Sequence, residues 1–166
     1  MIFVTVGTHE QSFERLVKEV DNLKGRGIIK DEVFIQTGYT EYEPRYCLFK
    51  MLLDYEEMKK YINEADIIIT HGGPASFMSV LEKGKIPIVV PRQEQYKEHI
   101  NNHQLEFANA VKQRYKNIIV VEDVSELREF LENYSTYVDE MNIENLSNND
   151  KFCTEFSLLV KKMLCG

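Results

Sequence analysis

Residues 67–90, IIITHGGPASFMSVLEKGKIPIVV, decide how the rest of the chain is read. Ile67–Thr70 is a run dominated by β-branched side chains, and His71-Gly72-Gly73-Pro74 breaks it. Ser76–Lys83 then has the spacing of a helix, which Gly84 stops, and Ile86–Val90 is a second apolar run that ends at Pro91. Both strands are continuous apolar runs rather than alternating ones. That pattern belongs to a parallel sheet with helices on both faces, where neither side of a strand meets water.

The same alternation extends in both directions. Ile2–Val6 is a strand stopped by Gly7, and Phe13, Leu16, Val17 and Val20 follow at helical spacing. Val33–Gln36 is a strand closed by Thr37-Gly38, and Tyr46–Met51 reads as a short one. Met58, Tyr61 and Ile62 mark a helix that begins at Tyr55. Toward the C-terminus the pattern predicts a helix over Glu98–Val111, a strand over Ile118–Val121 and a helix over Val124–Leu131. The expected architecture is one α/β domain over residues 1–132, a Rossmann-like parallel sheet with helices on both faces. Residues 133–151 are polar and are expected as an extended connector. Residues 152–166 place Phe152, Phe156, Leu159, Val160 and Met163 on one face, which predicts an amphipathic C-terminal helix docking on its own domain, or on a partner or membrane surface.

Composition narrows the function classes. The chain has 166 residues, 20 basic and 27 acidic, for a net charge of −7. An acidic balance of this kind argues against a general nucleic-acid binder. Cys47, Cys153 and Cys165 have neither CxxC nor His–Cys ligand spacing and read as reduced thiols. No apolar run approaches the roughly 20 residues of a membrane span. The opening MIFVTVGTHE lacks a basic leader, so the expected location is the cytosol.

In an open parallel sheet, ligands bind beyond the carboxyl ends of the strands. After the central strand, Gly72 and Gly73 allow close approach to the backbone, and Pro74 suits a first helical position. The N–H groups of Gly73, Ala75 and Ser76 at such a helix start favour a diphosphate, although the same turn also serves as a plain strand-to-helix connection. After the first strand, Thr8 is placed to cap the next helix or meet a phosphate, and His9 and Glu10 are candidate general bases. Gln36 and Gly38 end a third strand at the same edge. The segment 92–104, RQEQYKEHINNHQ, is rich in amides suited to sugar hydroxyls. His99 and His103 share a helix face, but neither an HExxH pattern nor a third ligand accompanies them. With no Asp-X-Asp either, a metal-free mechanism without a cofactor is expected.

Taken together, VTVGTHEQSFERLV at 4–17, QTG at 36–38, NEADIIITHGGPASFMSVLEKGKIPIVVPR at 63–92 and EHINNHQLEFA at 98–108 resemble the C-terminal domain of glycosyltransferase family 28. The likeness is strongest to the cytosolic subunits of two-part transferases of the dolichol pathway and of bacterial capsule or exopolysaccharide synthesis. It implies the C-terminal half of a GT-B fold. It places uracil near the loop before the Tyr55 helix, the diphosphate between Gly7-Thr8 and His71–Ser76, and the donor sugar near Asn102, His103 and Gln104. The ribose position, a Glu in many members, falls by spacing on Ser79, with Glu82 one turn further on. Single-chain relatives carry an N-terminal acceptor domain that this sequence lacks. The resemblance therefore implies a membrane-anchored partner subunit, a UDP-sugar donor, and a lipid-linked acceptor at the inner membrane face. The alternative is a non-catalytic UDP-sugar-binding or enhancer subunit. A nucleotide-sugar epimerase would need NAD and a GxGxxG turn, which is missing.

Overall fold

The computed structural model describes residues 1–145, 154–156 and 158. Six strands form one sheet: β1 (Ile2–Thr5), β2 (Val33–Gln36), β3 (Leu48–Lys50), β4 (Ile67–His71), β5 (Ile88–Val90) and β6 (Ile119–Val120). Their order is β3-β2-β1-β4-β5-β6, and every pairing is parallel. The chain therefore winds outward from β1 in one direction and from β4 in the other, which opens a crevice at the carboxyl ends of these two central strands. Register aligns Thr5 with both Gln36 and Thr70, so the polar ends of three strands lie side by side.

Alternate residues serve opposite faces, as the pleat requires. Ile2, Val4, Ile69, Ile88 and Val90 join Leu16, Val17 and Val20 of α1 (Glu14–Gly25) on one side. On the other side, Phe3 and Ile68 meet Ile62 of α2 (Tyr55–Glu64) and Val80 of α3 (Pro74–Leu81). Val89 and Val120 meet Phe77 of α3 and Ala108 and Val111 of α4 (His103–Tyr115) on that face. α5 (Leu127–Glu132) returns to the first face through Leu127.

The structure departs from the expected elements in three places. α1 begins at Glu14 after Phe13, so Thr8 lies outside it and caps nothing. α4 starts at His103 rather than at Glu98. The carbonyl of Glu98 accepts from the Arg92 guanidinium at 3.1 Å, and Lys97 adopts a left-handed φ of 58°. The chain from Glu94 to Asn102 consequently folds as a short 3-10 turn and a polar loop. The expected connector is also helical over its first part, α6 (Tyr134–Asn145). Tyr134, Tyr137, Val138 and Met141 recur one helical turn apart and pack on the α1 side of the core, a spacing that the polar residues between them mask. The rest of the connector, residues 146–151, lies outside the described residues, as does most of the expected C-terminal helix. Residues 154–156 are helical; Phe156 approaches Phe107 of α4, and the Tyr115 hydroxyl donates to Glu155 at 2.6 Å.

One buried carboxylate holds the β2–β3 loop to α1. Asp21 is fully enclosed. It accepts from the backbone N–H groups of Arg45 (2.9 Å), Tyr46 (2.8 Å) and Cys47 (3.1 Å) and from the Tyr42 hydroxyl (2.7 Å). Burial alone pushes its pKa up, but the hydrogen bonds from Arg45, Tyr46, Tyr42 and Cys47 outweigh that and hold it below the ordinary 3.8. A carboxyl whose pKa is lower when folded stabilises the fold above its unfolded pKa and loses that contribution as pH falls through the folded one. Asp21→Asn, which turns an amide N–H toward donors, is expected to cost about 2–3 kcal/mol in urea unfolding at pH 7. The deficit should shrink as pH falls below about 4; a constant deficit would contradict this account.

Candidate functional site

A cavity of about 350 Å³ opens at the carboxyl edge of β1 and β4. Thr5, Gly7 and Thr8 contribute from β1 and its turn, and Gln36 from β2. His71, Gly73, Pro74, Ala75 and Ser76 contribute from the end of β4 and the start of α3. Leu53 and Met58, ahead of and within α2, supply an apolar wall.

The turn after β1 is held from the neighbouring strand. Gln36 is buried, and its Oε1 accepts from the Thr5 hydroxyl (2.6 Å) and the Gly7 N–H (3.2 Å). Its Nε2 donates to the carbonyls of Gly7 (2.9 Å) and Met51 (3.2 Å). The amide's two lone pairs and two protons are thus all engaged, so Gln36 shapes the site rather than offering itself to a ligand. Gly38 does the same by having no side chain, since a Cβ there would lie 2.5 Å from the Gly7 carbonyl oxygen.

The β4–α3 turn is built around an imidazole. The His71 ring fits between two glycines: a Cβ at Gly7 would stand 2.5 Å from its Cε1, and one at Gly73 would stand 2.3 Å from its Nε2. Among the described residues its sealed Nδ1 has no partner of good hydrogen-bond geometry, although the Thr5 backbone opposes the fall of its pKa, and the Ser76 hydroxyl lies 3.5 Å from its Nε2. Burial first and the Arg92 charge second drive its pKa down to about 4. His71 is therefore neutral at physiological pH. Gly73 is the N-cap of α3 and Pro74 its first residue. Of the three N–H groups expected to face a ligand, that of Ser76 donates to the Gly73 carbonyl at 3.0 Å. Those of Gly73 and Ala75 remain in the first turn, whose donors have no intrahelical acceptor. Gly72 faces away from the cavity, toward α4, where a Cβ would come 2.9 Å from that of Gln104.

Other expected contacts lie outside the cavity. Tyr55 is 76% exposed at the first position of α2, where Asp54 and Glu57 form a capping box. The Ser79 hydroxyl donates to the Ser76 carbonyl at 2.7 Å, and Glu82 caps the far end of α3, so neither lines the pocket. Asn102 accepts from the Glu94 N–H (3.0 Å) and Gln104 from the Arg92 N–H (3.2 Å); both side chains brace the β5–α4 loop. His103 opens α4, its N–H donating to Asn101 at 3.2 Å. Glu10 is exposed. His9 stacks obliquely on His99 with centroids 4.9 Å apart, and its Nδ1 accepts from the Gln11 N–H at 3.2 Å. Burial, then the charges of Arg92 and His99, lower its pKa. A neutral His9 in this hydrogen bond carries its proton on Nε2, so its lone pair is already engaged within the loop. Among the described residues, no three His, Cys, Asp or Glu side chains gather as a metal site.

The sequence reading missed the buried ion network beside the cavity. Arg92 is fully enclosed and donates to the carbonyls of Val6 (2.9 Å), Gln11 (2.6 Å) and Glu98 (3.1 Å). Arg15 grips the Glu98 carboxylate with two N–H groups, at 2.9 and 3.0 Å. A charged residue directly after a strand-ending proline was the only sign of this in the sequence.

A family model described as Glycosyltransferase family 28 C-terminal domain matches residues 1–157. The human protein named UDP-N-acetylglucosamine transferase subunit ALG13 is 36% identical over 64% of this chain, and the mouse protein of the same name is 34% identical over the same share. The chain spans about a tenth of the length of those relatives. Among solved structures, the glycosyltransferase SnogD from Streptomyces nogalater superposes with a TM-score of 0.53 at 16% identity. That match covers 95% of this chain and 43% of SnogD, a likeness of fold to half of a GT-B enzyme.

The glycine sandwich makes a direct prediction. In Gly73→Ala the His71 ring has to leave its slot, and its pKa is expected to rise from about 4 toward the ordinary 6.5. An NMR pH titration of the imidazole would detect this. A titration curve identical to the wild type would mean that the slot does not hold the ring.

Proposed function

The chain belongs to the glycosyltransferase family 28 C-terminal domain family, and on that premise we propose that it is the donor-binding subunit of a two-part transferase. It binds a UDP-sugar and passes the sugar, with inversion and without a metal, to a polyprenyl-diphosphate-linked acceptor in capsule or exopolysaccharide synthesis. A membrane-anchored partner brings the acceptor to the inner face of the membrane. The word subunit in the names of the mammalian relatives supports the two-part reading.

The observation that carries this reading is the cavity where the Gly7 turn faces the N-terminus of α3. A helix start presents free N–H groups and the positive end of its dipole, which is a site for phosphate. The negative charge that grows on the departing UDP during transfer then meets donors already in place: the N–H groups of Gly73 and Ala75 and the Thr8 hydroxyl. The apolar wall of Leu53 and Met58 suits the uracil face. In the β1–α1 loop the base is Glu10 or His9, and His9 serves only once its hydrogen bond from Gln11 opens. Otherwise the partner supplies it.

The test is binding followed by transfer. UDP at 100 times its Kd is expected to stabilise the protein by about 2.7 kcal/mol, read as a rise in Tm. Ala75 is exposed in the first turn of α3, where an Asp favours the helix but occupies the phosphate position. Ala75→Asp should therefore fold normally and bind UDP at least tenfold more weakly (an estimate for one misplaced charge). Transfer from UDP-N-acetylglucosamine, UDP-galactose or UDP-glucuronic acid is expected only with both subunits present. Equal UDP affinity in Ala75→Asp would remove the site from contention. Transfer catalysed by the partner alone would reduce this chain to an enhancer.

A further inference from the structure

We propose that Arg92 is a positioning residue of this site, whose buried guanidinium fixes two loops and leaves one positive charge beneath the pocket for the ligand's phosphates to offset. The inference rests on the nucleotide-diphosphate reading above and goes beyond it by naming where the charge comes from.

The geometry starts with a count of donors and acceptors. Besides Val6, Gln11 and Glu98, the guanidinium reaches the Ser12 carbonyl at 3.4 Å. All four acceptors are neutral backbone carbonyls, drawn from the end of β1, the loop that follows it and the β5–α4 loop. Among the described residues, no carboxylate accepts from Arg92. Glu98, the nearest acid, gives both oxygens to Arg15, and one of them also to the Gln93 N–H at 3.2 Å. Arg15 and Arg92 against Glu98 leave this buried cluster with an excess of one positive charge. The Phe13 ring, 4.7 Å from the guanidinium carbon, adds no formal charge. Among the described residues, the Arg92 Nε has no hydrogen-bond partner.

Glu98 acts electrostatically on Arg92 as well as binding Arg15, so one carboxylate serves two buried cations; such a half-compensated pair is costly, and a fold that needed only loop staples would find neutral ones cheaper. The position explains the cost. Arg92 donates to Val6, the residue before the Gly7 turn, and its own N–H holds Gln104, which packs on Gly72 beside the start of α3. Its field reaches both histidines that border the site and disfavours a proton on each. The same field favours a phosphate at that spot.

The test separates charge from scaffold. Isothermal titration with UDP and with uridine gives the ratio of the two affinities, which measures what the diphosphate adds. That ratio should fall on the order of tenfold in Arg92→Gln and stay within about threefold of wild type in Arg92→Lys, which keeps the charge. Glu98→Gln adds one positive charge to the cluster, so the ratio should rise even though the fold is less stable. A purely structural role predicts that UDP and uridine weaken together in all three variants, and that result would overturn the proposal. If Arg92→Gln does not fold, Glu98→Gln decides: a rising ratio supports the proposal, and a flat or falling one overturns it. Should wild type bind UDP no better than uridine, the diphosphate reading itself fails and takes this inference with it.

Discussion

Four backbone carbonyls beyond the carboxyl edge of the sheet, from Val6, Gln11, Ser12 and Glu98, accept hydrogen bonds from the Arg92 guanidinium. A buried carbonyl left alone costs free energy comparable to a lost hydrogen bond, so this edge needs donors from somewhere. Water would do in an open loop. Here one planar cation does it for two loops and fixes their spacing at the same time. The late start of α4, the course of the 93–102 loop and the approach of Gln104 to Gly72 all follow from where this side chain sits.

The chain as a whole is acidic, yet the ligand we propose for its cavity is an anion. Net charge governs long-range behaviour and is screened within about 8 Å at physiological salt. Inside the site the relevant charges are few: the α3 dipole, the Arg92 cluster, and a His71 that stays neutral. His71 stays neutral because its ring, fitted between Gly7 and Gly73, is buried, and because the Arg92 charge disfavours a second proton on it.

Much of the fold was legible because burial on both faces writes itself into consecutive β-branched residues. Ile67–Thr70 and Ile86–Val90 show this, and every expected strand is present. β3 left the faintest mark on the sequence, since all three of its residues are exposed and burial had little to impress on it. The glycine-rich turn was readable as a place for a ligand, and the cavity lies there. The roles of individual side chains were not readable. Whether Gln36 meets a ligand or a neighbouring turn depends on β1–β2 register, which no local pattern specifies. Likewise, Glu98 looked like the first turn of a helix until its partner, Arg15, arrived from a distant segment. The Phe13–Val20 periodicity placed α1, but the loop before it is set by long-range contacts, so the sequence left Thr8 between capping the helix and meeting a ligand, and the structure places it at the cavity.

The clamp made by Gln36 has a bearing on how such a domain diversifies. Because the path of the Gly7 turn is dictated from the adjacent strand, the backbone there does not depend on which side chains follow. The exposed Thr8 and Glu10 side chains can therefore be exchanged without moving the Gly7 amide, whereas His9 is tied into the loop by its bond from the Gln11 N–H. The shape of the turn and the chemistry at its rim thus become separately heritable traits: one is written into the sheet, the other into the exposed letters beside it.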